Sequence, residues 1–240
     1  MLAARQVEKH FGGVRALNGV DVDLAGGELL GLIGPNGSGK TTLVNCLSGV
    51  HLPDAGTVEF EGRDITRWSR PRRARAGMSR TFQNLRLFGQ LSVGENIEAG
   101  SFTGRADGGR DRTLEQLKGF GLTTRERSRA TDLSYGLQRR VELARAVAGS
   151  PRLLLLDEPA AGLSEVERDR LQANLIEIRD RLGCAILVID HDMPFILGLC
   201  ERLLVLHEGS LIYSGKPADA IVDQGVVEAY LGAPAEERRA

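Results

Sequence analysis

The chain has 240 residues, an apolar content of 42% and a formal net charge of −1. That length accommodates one large or two small domains with a real core, and the balanced charge supplies no global field that favours nucleic acid. No apolar run approaches the roughly 18 residues needed to span a bilayer, and the opening Met1-Leu2-Ala3-Ala4-Arg5-Gln6-Val7-Glu8-Lys9 holds no apolar segment of a secretory signal.

A cytosolic protein is therefore the expectation, with a membrane partner left open because docking needs only a surface patch. Cys46, Cys184 and Cys200 lie in apolar segments and read as reduced core residues rather than a disulfide or metal set.

Residues 2–10 and 13–24 carry alternating apolar positions, among them Val20, Val22 and Leu24, and predict antiparallel strands joined near Phe11-Gly12-Gly13. Phe11 lies at that turn, where an aromatic ring either stacks on an adenine or caps the local sheet.

Leu29-Leu30-Gly31-Leu32-Ile33 reads as a short buried strand, and residues 41–49 as a helix with Leu43, Val44 and Leu47 on one face. Between them stands Gly34-Pro35-Asn36-Gly37-Ser38-Gly39-Lys40-Thr41-Thr42, which fits G-x-x-x-x-G-K-[ST]. Strand, glycine-rich loop and helix N-terminus together make a phosphate cradle. The glycines let backbone N–H groups approach phosphate oxygens. Lys40 can reach the β- and γ-phosphates, and the Thr41 hydroxyl suits Mg²⁺.

Pro53-Asp54-Ala55-Gly56 is a turn signal and Thr57-Val58-Glu59-Phe60 a short strand. Residues 67–80 are rich in arginine (Arg67, Arg70, Arg72, Arg73, Arg75, Arg80) and read as a solvated helical face rather than a nucleic-acid surface. Thr81-Phe82-Gln83-Asn84 follows, then Leu85, Leu87, Phe88, Leu91 and Val93, an apolar density outside any clear period. It either packs locally or forms an exposed docking patch. Residues 101–109 read as a loop and 114–120 as a short amphipathic helix. The shift in composition between residues 85 and 149 predicts an inserted, mostly helical subdomain.

Leu133-Ser134-Tyr135-Gly136-Leu137-Gln138 opens a helix over residues 139–148 with the stripe Val141, Leu143, Ala144 and Val147. Ser134 and Gly136 make either a second anion site at a helix N-terminus or an ordinary capped helix. Leu153-Leu154-Leu155-Leu156-Asp157-Glu158-Pro159 is a continuous apolar run ending in two carboxylates, as in a central parallel strand. Acids at that end lie where α/β sheets place ligands. Asp157 can hold Mg²⁺ through water, and Glu158 can orient or deprotonate an attacking water.

Ser164-Glu165-Val166-Glu167 is a capping box for a helix reaching about Leu182. Ala185-Ile186-Leu187-Val188-Ile189-Asp190 is another buried strand. It delivers His191 to the same sheet edge as the phosphate loop, where its imidazole can hydrogen-bond a γ-phosphate. Pro194 suits the first turn of a following helix. Residues 202–207 and 211–214 form a hairpin across Glu208-Gly209-Ser210. Two short helices follow near 217–223 and 226–231, and the polar tail 233–240 is expected to fray.

Taken together, these residues resemble an ATP-binding cassette (ABC) ATPase subunit over residues 2–232. The motifs stand in the family's order: Phe11, the phosphate loop, Gln83, Leu133-Ser134-Tyr135-Gly136, Asp157-Glu158 and His191. The resemblance implies an α/β fold: a P-loop (RecA-like) core with a mainly parallel sheet, an N-terminal antiparallel β subdomain and an inserted α-helical subdomain. The core would be 1–84 and 150–232, the insertion 85–149. It implies ATP and Mg²⁺ as ligands, with Phe11 stacking on the adenine. Gln83 would contact the metal and the attacking water and sense a membrane partner. Ser134 and Gly136 would act in trans on nucleotide held by a second cassette, in a head-to-tail dimer with two composite sites. The chain would sit peripherally on the cytoplasmic face of a membrane, without a nucleic-acid partner.

Met78-Ser79-Arg80-Thr81-Phe82-Gln83-Asn84-Leu85-Arg86-Leu87-Phe88, Leu133-Ser134-Tyr135-Gly136, Asp157-Glu158-Pro159-Ala160-Ala161-Gly162-Leu163 and Tyr230-Leu231-Gly232 are similar to cassettes of branched-chain amino acid uptake systems. Those systems pair two cassettes with two permease subunits, here docking near Leu85, Phe88 and Leu91, and with an extracytoplasmic binding protein. A cassette for urea, short amides or lipopolysaccharide export is the alternative, and a non-transport regulatory ATPase a further one. Two positions depart from the common pattern. Leu137 replaces a Gln after the signature glycine, and Ser164 replaces an Asp that normally couples the two sites.

Overall fold

The computed structural model describes residues 1–102 and 109–231. The expected tail at 233–240 and most of the expected loop at 101–109 lie outside the described residues.

Strands β1 (Leu2–Phe11) and β2 (Val14–Leu24) pair antiparallel, with Phe11 opposite Val14 across the Gly12-Gly13 turn. After them come β3 (Leu29–Ile33), α1 (Lys40–Ser48), β4 (Ala55–Phe60) and β5 (Arg63–Asp64). Strand β4 pairs with the free edge of β1, so a four-stranded antiparallel sheet forms in the order β2-β1-β4-β5.

The remaining elements are α2 (Arg70–Arg75), β6 (Met78–Arg80), α3 (Val93–Ser101), α4 (Gly109–Gly119), α5 (Tyr135–Ala148), β7 (Leu153–Asp157), α6 (Glu165–Leu182), β8 (Ala185–Ile189), α7 (Met193–Leu199), β9 (Arg202–His207), β10 (Ser210–Gly215), α8 (Pro217–Ala220) and α9 (Gln224–Leu231). Their strands join β3 in a six-stranded sheet ordered β10-β9-β3-β8-β7-β6. It is parallel except for the terminal β9-β10 hairpin.

All residues of β3, β7 and β8 are buried, and the pleat divides them between two cores. Leu30, Leu32, Leu153, Leu155, Leu187 and Ile189 face α1 and the antiparallel sheet. Leu29, Ile33, Leu154, Leu156, Ile186 and Val188 face α5, α6 and α7. Because both faces are covered, these strands read as unbroken apolar runs. Helices α3, α4 and α5 pack on one another between β6 and β7 in the chain.

Two expectations need correction. The arginines between 67 and 80 do not form one solvated helical face. The helix there is short, and Arg73 is 2% exposed. Its guanidinium donates to the carbonyls of Cys46 (3.1 Å) and Leu47 (2.5 Å), which close the end of α1, and to Ile65 (2.8 Å) and Thr66 (3.0 Å). These carbonyls compensate its loss of water, although burial still lowers its pKa to about 10. Arg80 lies in β6 and is buried against Asp157.

Helix α3 lies in the stretch expected to be mostly helical, and only its first residue, Val93, belongs to the apolar run without a clear period. Its start is written locally: Ser92 accepts the Glu95 N–H (3.2 Å) while the Glu95 carboxylate accepts the Ser92 N–H (2.7 Å). The second correction is the helix expected over 114–120, which starts earlier, at Gly109. Cys46, Cys184 and Cys200 are all buried free thiols.

Candidate functional site

The loop from β3 to α1 is shaped by its neighbours as well as by its glycines. Gly39 has φ 104°, and a Cβ there would stand 2.5 Å from the Ala16 carbonyl. A Cβ on Gly34 would stand 2.0 Å from the Leu206 carbonyl. The loop is thus clamped between β2 and β9, and the Gly209 N–H of the β9–β10 turn donates to the Ser38 carbonyl at 3.0 Å.

Lys40 Nζ folds back onto the carbonyls of Gly34 (2.7 Å) and Pro35 (2.8 Å). Burial lowers the pKa of this ammonium, while the carboxylates of Glu158 and Asp157 act in the opposite sense. Ser38 Oγ is buried without a hydrogen-bond partner among the described residues. An orphaned polar atom inside a phosphate loop is what a phosphate oxygen would satisfy.

A cleft of about 490 Å³ opens in front of this loop. Asn36, Gly37, Gly39, Lys40, Thr41, Thr42, Gln83 and Glu158 line it, with Val14, Arg15, Ala16, Glu208 and Gly209. Gln83 Nε2 donates to Glu158 Oε2 at 3.0 Å, so residues from two distant motifs meet. Glu158 holds a left-handed backbone, φ 49°, fixed by its N–H bond to the Ile189 carbonyl at 2.8 Å. Strain of this kind in a non-glycine residue persists where the surroundings over-determine it. Asp157 is buried at the end of β7, with Arg80 3.0 Å from its Oδ2.

Other expected residues lie outside this lining. The Phe11 ring packs edge-on against His51, with centroids 5.3 Å apart, and the cleft wall beside it is built from Val14, Arg15 and Ala16. His191 is strongly exposed (73% for its side chain), with Nδ1 3.8 Å from Asp190 Oδ1. Ser134 opens α5 without a side-chain cap, and the Cα of Gly136 is covered by the Glu167 carboxylate. Ser164 accepts and donates within its own capping box, where Ser164 Oγ meets Glu167 Oε2 at 2.8 Å. Leu137 packs against the core beneath α5.

Asp190 escaped the sequence reading, which used it only as a strand end. It is 1% exposed and gathers three backbone N–H groups: Ala160 (3.0 Å), His191 (2.8 Å) and Asp192 (3.0 Å). It therefore ties the loop after Glu158 to the segment that carries His191. The only local signal was an acid closing an apolar strand.

Residues 17–161 match the ABC transporter family. The chain belongs to that family. This cassette is 37% identical to the high-affinity branched-chain amino acid transport ATP-binding protein LivG of Salmonella typhimurium, over 97% of this chain and 98% of that protein. Among solved structures it is similar to the ADP conformation of MJ1267, an ATP-binding cassette of an ABC transporter, with TM-score 0.87 and 29% identity over 97% of this chain and 98% of that one. It is also similar to dimeric MJ0796, a bacterial ABC transporter cassette, with TM-score 0.82 and 27% identity over 90% of this chain and 99% of that one. ABC cassettes bind nucleotide, dimerise and couple ATP hydrolysis to transport. No helix among the described residues is long and apolar enough to cross a membrane.

Proposed function

We propose that this cassette hydrolyses ATP to power import of branched-chain amino acids, as a peripheral subunit on the cytoplasmic face of a membrane. The observation that carries the ATPase reading is the convergence of Lys40, Thr41, Gln83 and Glu158 on one cleft. The cargo rests on the likeness to LivG.

In this reading residues 1–84 and 150–232 form the nucleotide core and residues 85–149 the inserted helical part. The triphosphate lies along Gly34, Pro35, Asn36, Gly37, Ser38, Gly39, Lys40, Thr41 and Thr42, with the adenine near Phe11. Lys40 exchanges its loop carbonyls for β- and γ-phosphate oxygens. The Thr41 hydroxyl, the Gln83 amide and, through water, the Asp157 carboxylate are hard oxygen donors and suit Mg²⁺. Bound there, the metal neutralises charge on the phosphates. Glu158 orients the attacking water and accepts its proton, Gln83 holds the Glu158 carboxylate in place, and His191 turns toward the γ-phosphate. Ser134 and Gly136 serve the site of a second cassette, either a copy or a sister subunit. Permease subunits dock near Leu85, Phe88 and Leu91, and an extracytoplasmic binding protein delivers the cargo to them.

The test is uptake of radiolabelled leucine, isoleucine and valine by cells lacking the gene, complemented with wild type or Glu158→Gln. Uptake restored by wild type alone supports both cargo and hydrolysis. Uptake indifferent to the deletion, in cells with no second system for these amino acids, overturns the cargo.

A further inference from the structure

The guanidinium of Arg139, in the second turn of α5, is 7% exposed and reaches two distant motifs at once. Nη1 donates to the Phe82 carbonyl (3.1 Å) and Nη2 to the Gln83 carbonyl (2.8 Å) and the Glu158 carbonyl (3.3 Å). Glu142, one turn further along α5, holds Nη1 at 2.9 Å. The backbones of Gln83 and Glu158 are thus fastened to one planar group, on the helix that begins at Ser134. Above it, their side chains meet at 3.0 Å.

We propose that Arg139 is a positioning residue for hydrolysis: it sets the Gln83–Glu158 pair and makes the placement of that pair depend on the placement of α5. This rests on the reading of Glu158 as the residue that acts on water. The argument is geometric. A planar guanidinium holds donors on separate nitrogens at fixed angles and so reaches three spread carbonyls and a carboxylate at once, whereas an ammonium places all its donors at one point. Arg139 does not line the nucleotide cleft, so its loss should leave nucleotide affinity in place while disturbing the carboxylate that must be aligned. Misplacement of a reacting group by about 1 Å costs about 10²-fold in rate.

The experiment measures kcat, ATP KM and Tm of the purified full chain for four variants: Arg139→Lys, Arg139→Met, the pair Arg139→Met with Glu142→Leu, and Glu158→Gln as reference. Removing both partners avoids an uncompensated buried charge, so the paired variant keeps the test open where the single one does not fold. The expected result is a kcat about 10²-fold lower in the paired variant, with ATP KM within about twofold and Tm retained. Arg139→Lys should give an intermediate loss, because it retains one donor group. A paired variant with kcat within about twofold of wild type, beside an inactive Glu158→Gln, overturns the inference alone. So does a loss of kcat that merely tracks loss of folded protein. Wild-type turnover in Glu158→Gln overturns the reading of Glu158, and this inference falls with it.

Discussion

Arg80 and Asp157 form an ion pair at 3.0 Å with both side chains almost fully buried. The other arm of Arg80 donates to Asn45 Oδ1 (2.6 Å) and Ser48 Oγ (2.9 Å) on α1. One guanidinium therefore joins the helix of the phosphate loop to the carboxylate at the end of β7. Arg80→Ala strands the Asp157 charge in a buried site, a class of change that costs about 3–5 kcal/mol. Urea unfolding should show a midpoint far below wild type, and a loss under about 1 kcal/mol would contradict the structural role assigned here.

Asp190 makes a different kind of link, from one carboxylate to three backbone amides. Asp190→Ala should lose about 1–3 kcal/mol through amides left without a charged acceptor. Hydrogen exchange read by mass spectrometry should show the loops around Ala160 and His191 opening together. Unchanged protection at Ala160 would separate the two loops.

The left-handed backbone of Glu158 carries a stability signature. That conformation costs an L-residue about 1–2 kcal/mol, and glycine escapes it. Glu158→Gly should therefore unfold at higher denaturant than Glu158→Ala, with both variants lacking hydrolysis. The reverse order would mean that the backbone there relaxes when the side chain is cut back.

Burial pushes the Cys46 thiol up to about 11 and those of Cys184 and Cys200 up to about 12. At pH 8 these groups are protonated as well as enclosed. An aromatic disulfide reagent should find essentially no thiol in the native protein and all 3 after unfolding. Rapid native labelling would show that a core segment opens easily.

Phe88 is 53% exposed on a loop held by Asn96, whose side chain is itself fully buried. Asn96 Oδ1 accepts the Phe88 N–H at 2.9 Å, and its Nδ2 donates to the Phe88 carbonyl at 3.0 Å. A rigid loop thus presents the ring outward. Phe88→Asp should leave ATP affinity unchanged and abolish co-purification with the permease. Retained association would remove this ring from the docking surface.

Strand β3 was legible in the sequence residue for residue, and β7 up to Asp157, because a strand buried on both faces admits little except aliphatic side chains. The phosphate loop was equally plain, since its spacing reports a backbone path. Helix α3 was hidden because Gly94, Asn96 and Gly100 interrupt the apolar period of Val93 and Ile97. Asn96 is buried there to hold a loop rather than to fill a core. Arg73 and Arg80 looked like surface charge because nothing local marks the carbonyls and carboxylates they meet. Those partners come from distant parts of the chain, so the residue type alone pointed to water.

The clamp on the phosphate loop has a consequence for biosynthesis. The carbonyl of Leu206 and the N–H of Gly209, which hold Gly34 and Ser38, belong to a hairpin made long after the glycine-rich motif. Strand β3 likewise waits for β8 and β9 before either edge is paired. A nascent chain that already contains the whole glycine-rich motif therefore has no formed pocket. Contacts of such long sequence separation form slowly, so the pocket takes shape only after the β9–β10 hairpin has been made.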